Sequence, residues 1–288
     1  MGAANVIPGV SGGTIAFITG IYERLLLAIK SFNPKALSFL MKRQWKDFAQ
    51  YTDLQFLIPL IAGIAVSILS LAKFLEYLFN NYPTLLWAFF FGLILASVWF
   101  VGKQVKHWNE GTIAALAIGT AIAIGVSLLS PSKANDSFIY VFICGIVAIC
   151  SMILPGLSGS FLLIVMGNYL LVLNAVGNFN LKVLIPLALG CGIGLIVFSN
   201  LLVYVFKRFP DITIATLTGF ILGSLNILWP WKKAVETFTK PDGEIVVLKY
   251  AKILPELFTA HTLFALVLMA IGVASIFVLE KWAIQNKA

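Results

Sequence analysis

Long apolar runs, separated by short polar stretches, set the pattern of this chain. Seven such runs lie at 56–79, 85–102, 112–129, 138–154, 184–206, 212–228 and 262–279. A helix of roughly 20 apolar residues crosses the hydrocarbon core of a bilayer. Because backbone groups in lipid must find their hydrogen bonds inside the protein, spans of this kind are helical. The pattern therefore predicts an all-α, polytopic integral membrane protein.

Composition and charge agree with a membrane protein and exclude other classes. Of the 288 residues, 60% are hydrophobic and 11% are charged, which is far from the balance of a soluble domain. The net charge of +8 is spread over loops, without a basic stripe carrying aromatic residues, so we expect no nucleic-acid partner. No basic segment precedes the first apolar stretch, so we expect no removable signal peptide. Cys144, Cys150 and Cys191 lie inside apolar runs and are expected to be buried hydrophobes; neither a metal site nor a cofactor is predicted.

Two glycine-rich segments interrupt the apolar pattern and resemble each other. The first motif, VIPGVSGGTIAFITGIYERLL, occupies residues 6–26, and the second motif, MILPGLSGSFLLIVMGNYLL, occupies residues 152–171. A shift of 147 positions sets Pro8 on Pro155, Gly9 on Gly156, Ser11 on Ser158, Gly12 on Gly159, Gly20 on Gly167 and Tyr22 on Tyr169. A shift of 127 sets Pro59 on Pro186, Gly63 on Gly190, Pro83 on Pro210 and Gly92 on Gly219. The shared order predicts an internal duplication, with repeats at 1–130 and 131–288 in a single membrane domain.

Basic residues set the expected orientation of the two repeats. The loop after the first motif is predicted to be cytoplasmic because it contains Lys30, Lys35, Lys42, Arg43 and Lys46. Lys207 and Arg208 follow the run 184–206, so the loop after the second motif is expected outside. Equivalent loops on opposite faces indicate inverted repeats, an architecture of many secondary transporters. The loop 230–256 is expected outside too, despite its lysines. The run 138–154 has no full counterpart before the first motif, so we expect a truncated or wrongly assigned start.

The paired motifs are candidates for an anion site. Irregular backbone at membrane depth survives only when it is buried in protein or lines a cavity, so each motif predicts a re-entrant or broken-helix hairpin. In the first motif a helix is expected to open at Gly12 and to continue to Ile29. The amides at such a helix start suit a phosphate, and nearby hydroxyls add donors. With inverted topology the two motifs are expected to face one another across a shared site. The predicted headgroup-binding residues are Ser11, Gly12, Gly13, Thr14, Arg24, Ser158, Gly159 and Ser160, with Pro8, Gly9, Pro155 and Gly156 shaping the loops.

Glu23 and Arg24 are the ionisable pair that follows the first motif. If Arg24 faces the cavity, it can pair with a phosphate, while Glu23 can hold a coupling proton or balance the charge of Arg24. The alternative is that both lie at the cytoplasmic rim and extend their charges into water. Glycine and serine also occur where membrane helices kink or pack closely without any ligand. Two clusters at equivalent positions of an inverted repeat favour the transporter interpretation.

The two motifs resemble the signature segments of a bacterial membrane family of polyprenyl-phosphate (undecaprenyl-phosphate) translocases, the PopT type. PTLLWAFFFGLILASV and FPDITIATLTGFILGSLNILWPW also resemble later segments of that family. The resemblance implies a multi-pass protein of the bacterial cytoplasmic membrane that returns the lipid carrier of cell-wall synthesis from the outer to the inner leaflet. It matches the family at Pro8, Gly9, Ser11, Gly12, Gly13, Thr14, Glu23, Arg24, Pro155, Gly156, Ser158 and Gly159.

Three other functions remain open at this point. A small-anion or ion transporter would use the same helix-end sites. A membrane-embedded lipid phosphatase would need histidines, carboxylates or a metal site arranged for phosphoryl transfer, and the chain has only two histidines. A structural membrane partner would tolerate bulky residues at Gly12 and Gly159. For a translocase, the expected partners are the polyprenyl-phosphate lipid, the bilayer and a coupling ion, H⁺ or Na⁺; the oligomeric state is not predicted.

Overall fold

The computed structural model describes residues 1–2, 11–239, 245–256 and 259–285. In chain order the helices are α1 Gly12–Ile18, α2 Tyr22–Lys30, α3 Pro34–Met41, α4 Trp45–Tyr51, α5 Leu54–Asn81, α6 Pro83–Gly102, α7 Glu110–Leu128, α8 Phe138–Ile153, α9 Gly159–Val165, α10 Tyr169–Gly177, α11 Leu181–Arg208, α12 Pro210–Leu228 and α13 Ala260–Gln285. Strands β1 Lys232–Thr239 and β2 Ile245–Lys252 lie between α12 and α13. Within the described residues, 6 helices are long and apolar enough to cross a membrane, or up to 8 if each of two bent pairs is one span. The prediction of an all-α multi-pass membrane protein is confirmed.

Prolines fix the starts of α6 and α12. Pro83 and Pro210 occupy the first turn of these helices, where a missing N–H costs nothing. The residue before each proline lies outside the helical region of backbone conformations, which steric contact with the proline ring disfavours. Tyr82 and Phe209 both have φ of −137°, and each donates its N–H to the carbonyl four residues earlier at 2.7 Å. The two positions matched by the 127-residue shift therefore share one local geometry.

The helix expected from Gly12 to Ile29 is wrong, because the chain breaks there into α1 and α2. Gly20 between them has φ of +70°, and the two helices are bent by 117°. The second motif repeats this break at Gly167, with φ of +74° and a bend of 115°. Residues with a Cβ rarely adopt such a φ, whereas glycine does so without steric cost. Each motif is thus a pair of short helices joined at a glycine.

The polar regions predicted as loops contain regular secondary structure. The 31–53 region contains α3 and α4. The expected 230–256 loop is in large part an antiparallel hairpin in which Lys232 pairs with Lys252 and Thr239 with Ile245. Sequence reasoning overlooked β1 and β2 because lysines interrupt the apolar pattern of both segments. The hairpin covers one end of the α6 and α12 pair, where Trp229 packs 6.0 Å from Phe91 between ring centroids.

Helices from the two halves of the chain pack pairwise through small residues. A Cβ on Gly92 of α6 would collide with the backbone of Met269 in α13, and one on Gly219 of α12 would collide with that of Leu116 in α7. Such close backbone approach is typical of helix packing in membranes. The α6 and α13 pair runs parallel, since Ala88 and Ala265 share one cluster and the rings of Phe100 and Phe277 meet edge to face further along. The α7 and α12 pair is parallel too: Ala115 and Ala215 share a cluster, and Asn226 bonds to Ser127 further along. Each half therefore contributes one helix to each pair.

The helices matched by the 127-residue shift, α6 and α12, run antiparallel to each other. Phe91 near the start of α6 contacts Trp229 just after the end of α12. At the other end, a Cβ on Gly102 would lie 3.5 Å from the methyl group of Thr218, close to the middle of α12. The largest cluster of buried residues draws on both helices and on the first motif.

The helices α8 and α9 form a tight hairpin whose open ends lie together. Val165 at the end of α9 accepts a hydrogen bond at 2.9 Å from the N–H of Ser132, which precedes α8. Asn168 exchanges two hydrogen bonds with the backbone of Asn135, at 2.9 and 2.8 Å. The hydroxyl of Tyr140 donates to Met166 at 2.8 Å. The chain therefore enters along α8, turns at Pro155–Ser158 and returns along α9 to the end from which it came.

Candidate functional site

The two motifs lie against each other and are joined by direct hydrogen bonds. The Ser11 hydroxyl donates to the carbonyl oxygens of Leu154 at 3.2 Å and Met152 at 3.4 Å. The N–H of Gly156 donates to the Thr14 hydroxyl at 3.1 Å. These bonds connect positions more than 140 residues apart in sequence. The two motifs therefore lie close together, as expected.

No space for a headgroup separates the motifs along this line of contact. Ser11, Thr14 and the glycines between them are buried, and a Cβ on Gly13 would lie 2.6 Å from the carbonyl oxygen of Ile153. Ser11 also accepts the N–H of Gly13 at 3.1 Å and so caps α1 with its side chain. The polar groups of the first motif are thus engaged within the protein, and the open pocket expected between the motifs is closed in this conformation.

The second motif presents its hydroxyls differently. Ser158 is half-buried and Ser160 is exposed, and their hydroxyl oxygens lie 2.9 Å apart. Pro155, Gly156 and Gly159 are buried. Gly156 has φ of +85°, and a Cβ there would come within 2.6 Å of the Phe220 backbone in α12. Ser158 and Ser160 therefore remain accessible while the two motifs are in contact. Pro8 and Gly9 lie outside the described residues.

Arg24 lies at the edge of the protein and pairs with a residue that the sequence did not single out. Its Nε and Nη2 donate to the two carboxylate oxygens of Asp53 at 2.6 and 2.9 Å. Its guanidinium also lies 4.5 Å from the centre of the Phe56 ring. These hydrogen bonds, and then the charge of Arg24, lower the pKa of Asp53. Glu23 is exposed, so both members of the predicted ionisable pair reach water, and their roles stay predictions.

Tyr22 is a packing residue, as the sequence suggested, with one additional bond. It is 3% exposed and its ring lies 5.1 Å from Phe17 and 5.9 Å from Phe206 between centroids. Its hydroxyl donates to the carbonyl oxygen of Ile153 at 3.1 Å. The first motif therefore bonds to the backbone of the second motif at Met152, Ile153, Leu154 and Gly156.

A cavity of about 190 Å³ lies beside α9, the helix that the second motif opens. Its polar wall consists of Ser127, Asn226, Lys232 and Lys252. Its apolar wall comes chiefly from the end of α7 and from one face of α9, with Leu128, Pro131, Phe161, Ile164 and Val165. Sequence reasoning treated the two lysines only as a difficulty for the orientation of the loop. No periodic signal could reveal them, because the hairpin brings them together across 20 residues.

The two lysines bond to residues at the C-terminal end of α12. The Lys232 ammonium donates to the carbonyl oxygen of Ile227 at 2.9 Å and lies 3.2 Å from the centre of the Trp87 ring. Lys252 donates to the side-chain oxygen of Asn226. Burial, and then the charge of Lys252, lowers the pKa of Lys232 to about 7. Burial also lowers the pKa of Lys252. Both shifts express the cost of removing an ammonium group from water, and at Lys232 the neighbouring like charge adds to that cost.

The described residues contain no group of three or more His, Cys, Asp or Glu side chains that could hold a metal ion. Glu23 is exposed and Asp53 is half-buried. The hydrogen bonds that join the two motifs are made by backbone amides, backbone carbonyls and hydroxyls.

Comparison with known proteins decides the family. Residues 1–246 match the family model described as "VCA0040-like: Undecaprenyl phosphate translocase-like". The chain belongs to this family. A polyprenyl-phosphate transporter of Vibrio cholerae is 43% identical over 98% of this chain and 94% of its own length. A polyprenyl-phosphate transporter of Staphylococcus aureus is 31% identical over 80% of this chain and 83% of its own length. No solved structure matches the chain.

Proposed function

We propose that this protein moves polyprenyl phosphate, such as undecaprenyl phosphate, from the outer to the inner leaflet of a bacterial cytoplasmic membrane. Its family and its relatives identify it as a lipid-carrier transporter rather than an enzyme. The direction, the membrane and the coupling to an H⁺ or Na⁺ gradient are the proposed parts. The observation that carries the proposal is the direct contact between two broken-helix motifs in a family of this substrate class.

The proposal includes inverted repeats at 1–130 and 131–288. Support comes from the antiparallel packing of α6 and α12, which the 127-residue shift makes equivalent. The helix pairing supports it as well, because each of these two equivalent helices packs on a helix from the other half of the chain. The α6 helix packs on α13, and α12 packs on α7. Inverted repeats give a transporter two related conformations, open to opposite faces, around one central site.

A lipid phosphate sets particular physical demands on such a protein. Its headgroup is charged and costly to place in hydrocarbon, so it needs donors along the whole path. Its tail is as apolar as the bilayer and can stay there. We infer that the headgroup meets Ser158, Gly159 and Ser160 first, and reaches Ser11, Gly12, Gly13 and Thr14 only when the motifs separate. Arg24 is the cation proposed to meet the phosphate after it has passed the motifs. Glu23 is the residue proposed to hold the coupling proton or to balance the charge of Arg24.

The test is a leaflet assay with the purified protein in liposomes. Fluorescent or chemically accessible undecaprenyl phosphate is placed in both leaflets, and its loss from the outer leaflet is followed with no gradient, with an H⁺ gradient and with a Na⁺ gradient. We expect loss only with protein, and faster loss with one of the two gradients. A matched polyprenol without phosphate controls for simple scrambling. If outer-leaflet polyprenyl phosphate stays constant with the active, folded protein, the proposed function is wrong.

A further inference from the structure

We propose that the cavity lined by Lys232 and Lys252 captures the phosphate of the polyprenyl lipid before it reaches the second motif. This inference rests on the proposed function and adds to it a receiving site, which neither the family nor the motifs assign. The occupant is the monophosphate head of a prenyl lipid together with the first part of its tail.

The charge of the cavity is the first reason. Its wall carries two ammonium groups and, among the described residues, no carboxylate. The two lysines are opposite each other across the hairpin ladder, so their charges repel in a poorly solvated place. An anion relieves that repulsion and receives charge-assisted hydrogen bonds, which are the stronger kind. Asn226 and the Ser127 hydroxyl add neutral polar groups at the same wall.

The shape of the cavity is the second reason. Its volume of about 190 Å³ is below the roughly 300–1,000 Å³ of pockets that enclose a whole drug-sized ligand. It suits a phosphate and the start of a chain, not an entire lipid. Leu128, Phe161 and Ile164 supply an apolar wall opposite the lysines, where an isoprene unit buries surface favourably. A free inorganic phosphate would gain nothing from that wall.

The position of the cavity is the third reason. Phe161, which lines it, follows directly after the exposed Ser160 of the second motif. The α9 helix therefore forms one continuous wall from the lysines to the motif. Trp229 lies at the same rim and donates its indole N–H to Ile253 at 3.0 Å, as expected for a tryptophan at the level of the lipid headgroups. A headgroup held at the lysines is thus at membrane-surface depth and next to the path inward.

The experiment uses the full chain in lipid nanodiscs and a prenyl phosphate that carries a photoactivatable diazirine near its head. The test variant is Lys232→Gln with Lys252→Gln, and Lys252→Gln alone serves as a second variant because that side chain is exposed. The matched control is Lys233→Gln, a change of the same type on the same strand at an exposed neighbour. Elution as a single species from gel filtration checks folding of every variant.

We expect labelled peptides to contain residues 127–131 or 161–165 in wild type and in the Lys233 control. The double variant should need at least about tenfold more probe for equal labelling, the equivalent of one lost charged contact, and the single variant an intermediate amount. Unlabelled prenyl phosphate should compete, whereas the prenol and inorganic phosphate at the same concentration should not. Wild-type labelling of the double variant, or equal competition by inorganic phosphate, overturns the proposal.

The leaflet assay, run in parallel, separates this proposal from the proposed function. If wild type moves polyprenyl phosphate and the double variant moves it and labels equally well, only the receiving site is wrong. If wild type labels at the cavity in a lysine-dependent way but never moves lipid between leaflets, the receiving site stands and the proposed function is wrong.

Discussion

The hydrogen bond from Gly156 to Thr14 offers a direct test of how firmly the two motifs are joined. Thr14 is completely buried, and its hydroxyl is the acceptor for the Gly156 N–H at 3.1 Å. Thr14→Val keeps the size and branching of the side chain and removes that acceptor. A buried N–H left without a partner costs about 1–3 kcal/mol. The contact between the motifs should weaken by that amount, because Thr14 is buried and water does not replace the lost acceptor.

The assay is hydrogen–deuterium exchange of the full chain in nanodiscs, read on peptides that cover 152–160. A loss of about 1–3 kcal/mol raises the population of the open form roughly 5- to 150-fold, and exchange at Gly156 should rise in proportion. Thr19→Val is the matched control. Among the described residues, the Thr19 hydroxyl bonds only to carbonyls of α1, Ile15 at 2.8 Å and Ala16 at 3.2 Å, so exchange at 152–160 should stay at the wild-type rate. Unchanged exchange in Thr14→Val would refute the reasoning that this bond holds the motifs together.

Three further predictions address the glycine, the buried lysine and the exposed arginine. Gly156→Ala should lower the unfolding temperature in detergent, since a Cβ at φ of +85° is strained and would meet the backbone of α12 at 2.6 Å; an unchanged temperature would contradict this. Because the pKa of Lys232 is about 7 when folded and 10.5 when exposed, the unfolded chain binds more protons between these values. Stability should therefore rise with pH in that window, and Lys232→Met, which leaves Lys252 in place, should flatten the rise in a thermal-unfolding series. Arg24→Ala should abolish lipid movement while Asp53→Asn retains it, with both unfolding temperatures close to wild type; equal defects in the leaflet assay would show that only their ion pair matters.

The spans were predictable from sequence because their physical cause is local. Each predicted run begins within three residues of the observed helix. Each also ends within two residues of it, except for 262–279 against Ala260–Gln285. Hydrocarbon thickness sets the length, and prolines and polar residues mark the ends. Positions matched between the two predicted repeats share local geometry: Pro83 and Pro210 each begin a helix, and Gly20 and Gly167 each have a positive φ. The repeat itself stays a prediction.

The parts that failed depend on contacts between distant residues. The break after Ile18 requires Gly20 to take a positive φ, and nothing local distinguishes that glycine from others in apolar runs. The hairpin forms because it covers Trp87 and the end of α12, and Lys232 reaches that ring only in the folded protein. The contact of Ser11 with Leu154 spans 143 positions. The sequence identified the two glycine-rich motifs. Whether a gap separates them depends on how the helices pack, which the sequence pattern does not determine.

The two ends of the α7 and α12 pair differ in their polar groups. At one end Ser127 and Asn226 meet beside Lys232 and Lys252, in a cavity that attracts an anion. At the other end the Asp211 carboxylate accepts the backbone N–H groups of residues 106 and 107 at 3.0 and 3.2 Å. Those amides would otherwise be ready donors for a phosphate, and here an acidic side chain occupies them.

Both ends of the helix pair carry basic side chains, Lys232 and Lys252 at one and Lys106, Lys207 and Arg208 at the other. The difference is that the Asp211 carboxylate occupies backbone amides at the second end, whereas the described lining of the cavity at the first end contains no carboxylate. The hairpin that carries the lysines is an insertion between α12 and α13, whereas α6 and α7 are joined by a short segment without strands. The receiving site proposed above therefore belongs to one end of the helix pair, because the two lysines that form it lie on this insertion.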